Sequence, residues 1–220
     1  MQTVFITGGT GYIGKRLIRA LLLEGNYRVM SLVRKGSEYK LPGQCEVVVG
    51  NALDAESYQH KIPAEAIFIH LVGVAHPSPA KKEQFKTIDA VSVEEAAKAA
   101  TTAAVSHFIY VSVAMYPSRI MAAFQEVRAA GERRLLACPF KTSFIRPWYV
   151  IGPGHWWPLL LNPFYFIASL IPSKKEAARQ LGTVRLQQMI NCLVYAVKHE
   201  PEGNRVYGVE EIKKFLVHGS

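Results

Sequence analysis

Thr3-Val4-Phe5-Ile6-Thr7-Gly8-Gly9-Thr10-Gly11-Tyr12-Ile13-Gly14 is the stretch on which the fold turns. A short apolar, β-branched run ends in glycines at Gly8, Gly11 and Gly14. A helical period follows, with Ile13, Leu17, Ile18, Leu21 and Leu22 on one face. Strand, glycine turn and helix in that order predict a dinucleotide-binding turn. Gly8 allows the tight turn out of the strand, and Gly11 has no Cβ to keep a pyrophosphate off the backbone. Gly14 lets the helix pack close to the sheet. The unpaired N–H groups and positive dipole end of that helix would hold the phosphates. The cofactor-binding set therefore begins with Gly8, Gly9, Thr10, Gly11, Tyr12, Ile13 and Gly14.

Outward from the turn, strands and helices alternate. Arg28 to Val33 reads as the second strand, and Arg34-Lys35 stand about 20 positions past the glycines. An acidic residue there would grip the ribose 2′-hydroxyl of NAD, whereas a guanidinium pairs with the 2′-phosphate of NADP. Neither Asp nor Glu ends the strand, so NADP(H) is the expected cofactor. Glu46 to Val49 gives a third strand; after it, Asn51 and Ala52 lie where an amide could meet the adenine, and Asp54 looks like the N-cap of a short helix. Ala66 to Val72 is the fourth strand, and its carboxyl end, Leu71-Val72-Gly73, joins the cofactor-binding set. Lys81 to Ala104 reads as one long helix with an alanine-rich packing face. His107 to Val113, Met121 to Ala137 and Thr142 to Ile145 read as strand, helix and strand, with Ser112 near the end of the first. This alternation predicts an α/β fold: a single Rossmann-type, doubly wound parallel sheet with ligands at the strands' carboxyl ends.

With 220 residues, half of them apolar, the chain suits one sizeable domain over residues 1–220. No basic-then-apolar leader precedes the first strand, which argues against secretion and for a cytoplasmic setting. Cys45, Cys138 and Cys192 have no metal spacing and read as buried thiols of a reducing compartment. The histidines show no ligand spacing either, so no metal is expected. A net charge of +9 suits anionic ligands. The basic residues are spread out in short pairs with no interleaved aromatics, which argues against nucleic acid.

After Arg146-Pro147 the texture changes, and residues 147–220 form a small C-terminal helical and aromatic segment completing the substrate side. From Trp156 to Pro172 there are 17 uncharged residues, including Pro158 and Pro163. They fall short of the roughly 20 needed to span a membrane. Three readings stay open: a wall or lid of the acceptor pocket, a protein-partner surface, or a peripheral membrane contact. Val184 to His199 reads as an amphipathic helix and Arg205 to Gly208 as a closing strand.

With Thr7-Gly8-x-x-Gly11-x-x-Gly14, Arg34, Tyr110-Val111-Ser112 and Arg146-Pro147 placed, the chain resembles the short-chain dehydrogenase/reductase superfamily from residue 2 to about residue 152. It is most similar to the extended and atypical branches, the NAD-dependent epimerase/dehydratase-like and NmrA-like proteins. The resemblance implies a Ser at the end of the fifth strand, matched by Ser112, and a Tyr-x-x-x-Lys dyad on the next helix. No tyrosine of this chain has a lysine four residues on; Phe124 falls at the tyrosine's place and Arg128 at the lysine's. In the family the tyrosine moves the substrate proton, while the lysine lowers its pKa and holds the nicotinamide ribose. Phenylalanine has no proton to give, and a pocket-facing ring is expected there. Arginine can donate to a ribose but does not titrate.

Two functions follow. The first is an atypical oxidoreductase passing hydride from NADPH to a small apolar or aromatic acceptor, with Ser112, Tyr116 and Arg128 as the catalytic candidates and His155 as a further proton source. The second is a non-catalytic NADP-binding redox sensor, regulator or assembly factor, in which the 156–172 stretch meets a protein partner. Epimerase chemistry ranks behind both because it needs the tyrosine as base.

Overall fold

In the computed structural model, which describes residues 1–118, 120–154 and 180–215, seven parallel strands form one sheet. They are β1 (Gln2–Thr7), β2 (Tyr27–Val33), β3 (Glu46–Val49), β4 (Ile67–His70), β5 (His107–Val111), β6 (Lys141–Ile145) and β9 (Asn204–Tyr207), in the order β3-β2-β1-β4-β5-β6-β9. The order reverses between β1 and β4, as in doubly wound dinucleotide folds. A two-stranded parallel pair, β7 (Tyr149–Ile151) and β8 (Thr183–Arg185), stands apart. The helices are α1 (Gly14–Glu24), α2 (Lys82–Gln84), α3 (Val91–Thr102), α4 (Ala122–Leu136), α5 (Leu186–Lys198) and α6 (Val209–Lys214).

Side chains alternate across each strand, and here the alternation sorts aliphatic from aromatic residues. Val4, Ile6, Ile67, Ile69, Ile109 and Ile145 share one face and pack with Leu17, Ile18 and Leu21 of α1 and Met189, Ile190 and Leu193 of α5. Phe5, Phe68, Phe108 and Phe144 take the other face. Their rings pack in series, Phe5 to Phe68 at 5.3 Å and Phe68 to Phe108 at 4.8 Å between centroids. The bulk on that face is matched by small residues opposite, since Ala96, Ala97, Ala99 and Ala100 of α3 are fully buried there.

Several boundaries differ from expectation. The helix expected over 81–104 is α2, a π-helical segment Phe85–Ala90 and then α3. Strands β4 and β5 end two residues early, because Leu71 and Ser112 bond singly to Thr7 and Ile145 and the chain then leaves the ladder. Val184 belongs to β8, so the amphipathic helix starts at Leu186. The thiols of Cys45 and Cys192 are buried; that of Cys138 is only half-buried and accepts a hydrogen bond from Arg134 Nη1 at 3.0 Å. His155 and the Trp156 to Pro172 stretch lie outside the described residues. Among the described residues, no helix is long and apolar enough to cross a membrane and no group of acidic, His or Cys side chains could hold a metal ion.

Candidate functional site

The turn between β1 and α1 is closed to side chains at Gly8, Gly9 and Gly14. Gly8 has φ +81°, a left-handed conformation, and a Cβ there would lie 2.9 Å from the Leu71 carbonyl carbon. The Gly11 N–H donates to the Gly8 carbonyl at 3.0 Å and closes the turn. A Cβ on Gly14 would run into the Gly8 carbonyl oxygen, so Gly14 packs on the turn itself more than on the sheet. Gly9 is equally constrained, since a Cβ there would collide with the Ser31 hydroxyl, which donates to the Ile6 carbonyl. Gly11 is exposed and meets nothing but the Gly8 oxygen, at 3.2 Å. Helix α1 starts here with Ile13 at its N-cap, no side-chain cap and no acidic residue in its first turn. Lys15 and Arg16 stand in that turn instead, and Arg16 lies over the Tyr12 ring at 4.5 Å and donates to the Tyr12 carbonyl. A helix N-terminus flanked by cations and left without a capping carboxylate suits an anion. The cradle fits a dinucleotide pyrophosphate.

At the end of β2, Arg34 and Lys35 are exposed and no carboxylate replaces them. Asn51 is turned into its own loop, where its Oδ1 accepts from the Leu53 N–H at 3.1 Å. Ala52 packs beside the aromatic core. Asp54 takes the N-cap position of a short 3-10 helix, Ala55–Ser57, but its side chain caps nothing. The Ala55 N–H goes to Glu95 Oε2 of α3 at 2.9 Å, so the expected cap comes from another element.

On the far side of β1, Leu71-Val72-Gly73 follow β4, and Leu71 donates to the Thr7 carbonyl. Ser112 follows β5, is buried, and its hydroxyl has no hydrogen-bond partner among the described residues. Tyr116 lies further along the same loop. Gln125 of α4 ties that loop down, donating to the carbonyls of Ala114 and Tyr116 at 2.7 Å each. Phe124 is a packing residue rather than the pocket-facing ring expected. It is buried with Phe85 and Val113, its centroid 4.9 Å from that of Phe85.

Arg128 is held from three sides. Its Nη2 donates to Asp89 Oδ1 at 2.5 Å, and its Nη1 donates to the Val111 carbonyl at 3.0 Å and the Tyr110 hydroxyl at 3.2 Å. The Val74 N–H donates to the other Asp89 oxygen at 3.0 Å. Burial pushes the Asp89 carboxyl up, opposed by the Arg128 charge and the Val74 N–H. Beside this pair, His70 is fully buried between the Thr7 hydroxyl at 2.8 Å and the Ser92 hydroxyl at 3.3 Å. Burial, and secondarily Arg128, push it down to about 3, so its ring is neutral. His70, Asp89, Ser92 and Gln125 were not among the residues singled out by sequence, and Thr7 entered only as the first residue of the glycine motif. The signal for His70 is its polarity inside the otherwise apolar run from Ala66 to Val72; Asp89, Ser92 and Gln125 stand among other polar residues and carry none.

The model of the NAD(P)H-binding family matches residues 8–137. The chain belongs to that family. It is 25% identical to UDP-glucose 4-epimerase of Vibrio cholerae over 96% of this chain and 71% of the epimerase. It is 29% identical to ceramide reductase of Caulobacter vibrioides over 69% of this chain and 47% of the reductase. Among solved structures it resembles MoeE5 in complex with UDP-glucose and NAD, with TM-score 0.70 and 17% identity over 96% of this chain and 79% of that one.

Proposed function

We propose that this protein is an NADP(H)-dependent oxidoreductase that reduces a small apolar or aromatic acceptor. The observation that carries the reading is the turn from Gly8 to Gly14, closed to side chains at Gly8, Gly9 and Gly14 and followed by an uncapped helix N-terminus, with exposed Arg34 and Lys35 at the end of the neighbouring strand β2. Arg34 and Lys35 would pair with the 2′-phosphate, and the backbone of Gly9 to Gly14 would hold the pyrophosphate. NADPH held there would supply the hydride. The Ser112 hydroxyl, buried and without a partner among the described residues, would hydrogen-bond an acceptor oxygen. Tyr116 is the candidate proton donor. Val74, Met115, Met121 and Trp148 are partly buried apolar side chains packed on the Phe85, Val113 and Phe124 cluster, and an apolar surface of this kind would suit a quinone, flavin or conjugated carbonyl better than a sugar. The likeness to a protein named ceramide reductase supports an apolar acceptor.

A second reading, a non-catalytic NADP-binding sensor or assembly factor, is favoured by one observation. Arg128, at the place of the family's lysine, is locked into a buried ion pair. Fluorescence titration with NADPH and NADH, on wild type and Arg34→Glu, tests the common part of both. NADPH is expected to bind roughly tenfold or more tighter, in line with a charge-assisted phosphate contact, and the variant to lose that preference. No binding of either nucleotide at millimolar concentration overturns both readings. Acceptor turnover with quinones, flavins and aldehydes then separates the enzyme from the sensor.

A further inference from the structure

Two opposite charges are buried under the loop that follows β4. The Arg128 and Asp89 side chains are 8% and 0% exposed. A Cβ on Gly73 would collide with the Arg128 guanidinium and lie 3.0 Å from Asp89 Oδ1, so the pair sits directly beneath Gly73. The geometry comes from two matched rungs. Phe85 and Asp89 stand four apart on the π-helical segment, and Phe124 and Arg128 stand four apart on α4. Ring meets ring on the first rung, and charge meets charge on the second. We infer that Asp89 sets the balance between oxidised and reduced cofactor, by cancelling the Arg128 charge beneath the nicotinamide-facing loop. This rests on the cofactor reading above.

A dinucleotide whose adenosine lies toward Arg34 crosses the switch point between β1 and β4, which brings its other nucleotide to the carboxyl ends of β4 and β5. Gly73 and Val111 stand at those two ends, and Arg128 and Asp89 bond to the backbone on both sides, at Val111 and Val74. The oxidised nicotinamide ring is a cation and the reduced ring is neutral. A guanidinium cannot shed its proton, and in a low-dielectric interior its field is poorly screened. Uncancelled, that field would oppose NADP⁺ and leave NADPH nearly unaffected. With the Asp89 carboxylate in place, the pair is neutral and both forms are accommodated. Asp89 is thus a positioning residue whose charge, by cancelling that of Arg128, keeps the two cofactor forms in balance.

The test is the ratio of dissociation constants, Kd for NADP⁺ over Kd for NADPH, measured by titration without any acceptor. Asp89→Asn keeps the shape and removes the charge, and is expected to raise the ratio about fivefold or more. Arg128→Gln removes the cation and is expected to lower the ratio once the pH is high enough to ionise the Asp89 carboxyl, which burial pushes up. A tenfold change corresponds to about 30 mV in the potential of the bound two-electron couple. A purely structural pair would weaken both forms together, so ratios within about twofold of wild type in both variants overturn the inference. If Asp89→Asn does not fold, the direction found for Arg128→Gln decides alone. Wild type that binds neither form overturns the cofactor reading itself, whereas wild type that binds with unresponsive ratios overturns only the role of Asp89.

Discussion

Thr7, His70 and Ser92 form a buried polar row across the ends of β1, β4 and α3, and His107 bonds Ser143 at 2.9 Å at the other end of the sheet. Both histidines are neutral by burial. His70 is pushed from 6.5 down to about 3, and His107 to about 4, with burial the larger cause in each. In the unfolded chain each binds a proton as the pH falls through about 6.5; in the folded chain neither does until about pH 4. The unfolded state therefore binds more protons across that window, and stability falls as the pH drops from 6.5 toward 4. The slope approaches about 1.4 kcal/mol per pH unit for each histidine. Urea denaturation at several pH values reads this directly. His107→Gln, which can keep a bond to Ser143, should flatten the slope by about one proton, and an unchanged slope would count against the assignment.

At the scale of elements, the short 3-10 helix after β3 is capped from outside. Its first N–H is taken by Glu95 of α3, while Asp54 at its own N-cap contributes no side-chain bond. Glu95→Ala is expected to cost about 1 kcal/mol, the worth of one cap bond, and Asp54→Ala about 0.5 kcal/mol or less. Thermal or urea melts of both variants check this, and a larger loss for Asp54→Ala would reverse the assignment. This case also marks where sequence stops being informative. β1, β2, β4, β5 and β6 are legible as short apolar runs rich in β-branched or aromatic residues, and the phosphate turn is legible because Gly8, Gly9 and Gly14 stand where no side chain fits. Glu95 is 40 residues from the N–H it caps, and Asp89 is 39 residues from Arg128. No local pattern announces either. The π-helical segment is equally silent, since one extra residue in a turn changes no composition. The β7–β8 pair is two three-residue strands, too short to show a period. Sequence could name Arg128 as replacing a lysine, but not the carboxylate that holds it.

For the molecule as a whole, the question is whether residues 147–220 are an accessory to the sheet or part of its core. The aliphatic face of the sheet is covered by α1 and α5 together, and Leu186, Met189, Ile190, Leu193, Ala196 and Val197 are all buried in that cluster. Each large apolar side chain so buried contributes about 1.5–3 kcal/mol. Four of them match or exceed much of the roughly 5–15 kcal/mol by which a domain is stable at all. Strand β9 also covers the edge of β6, which would otherwise be left unpaired. Arg146 ties the same region together: its side chain is bidentate to buried Glu132, and its N–H donates to the Tyr207 carbonyl at 2.8 Å. The phosphate turn leans on this part too, because a Cβ on Gly152 would lie 2.7 Å from the Tyr12 hydroxyl oxygen. A chain ended at residue 147 should therefore bind hydrophobic dye, melt without a sharp transition and lose NADPH binding, while the full chain unfolds in one step. A cooperative melt in that fragment would instead make the C-terminal part an accessory and leave the phosphate turn self-supporting.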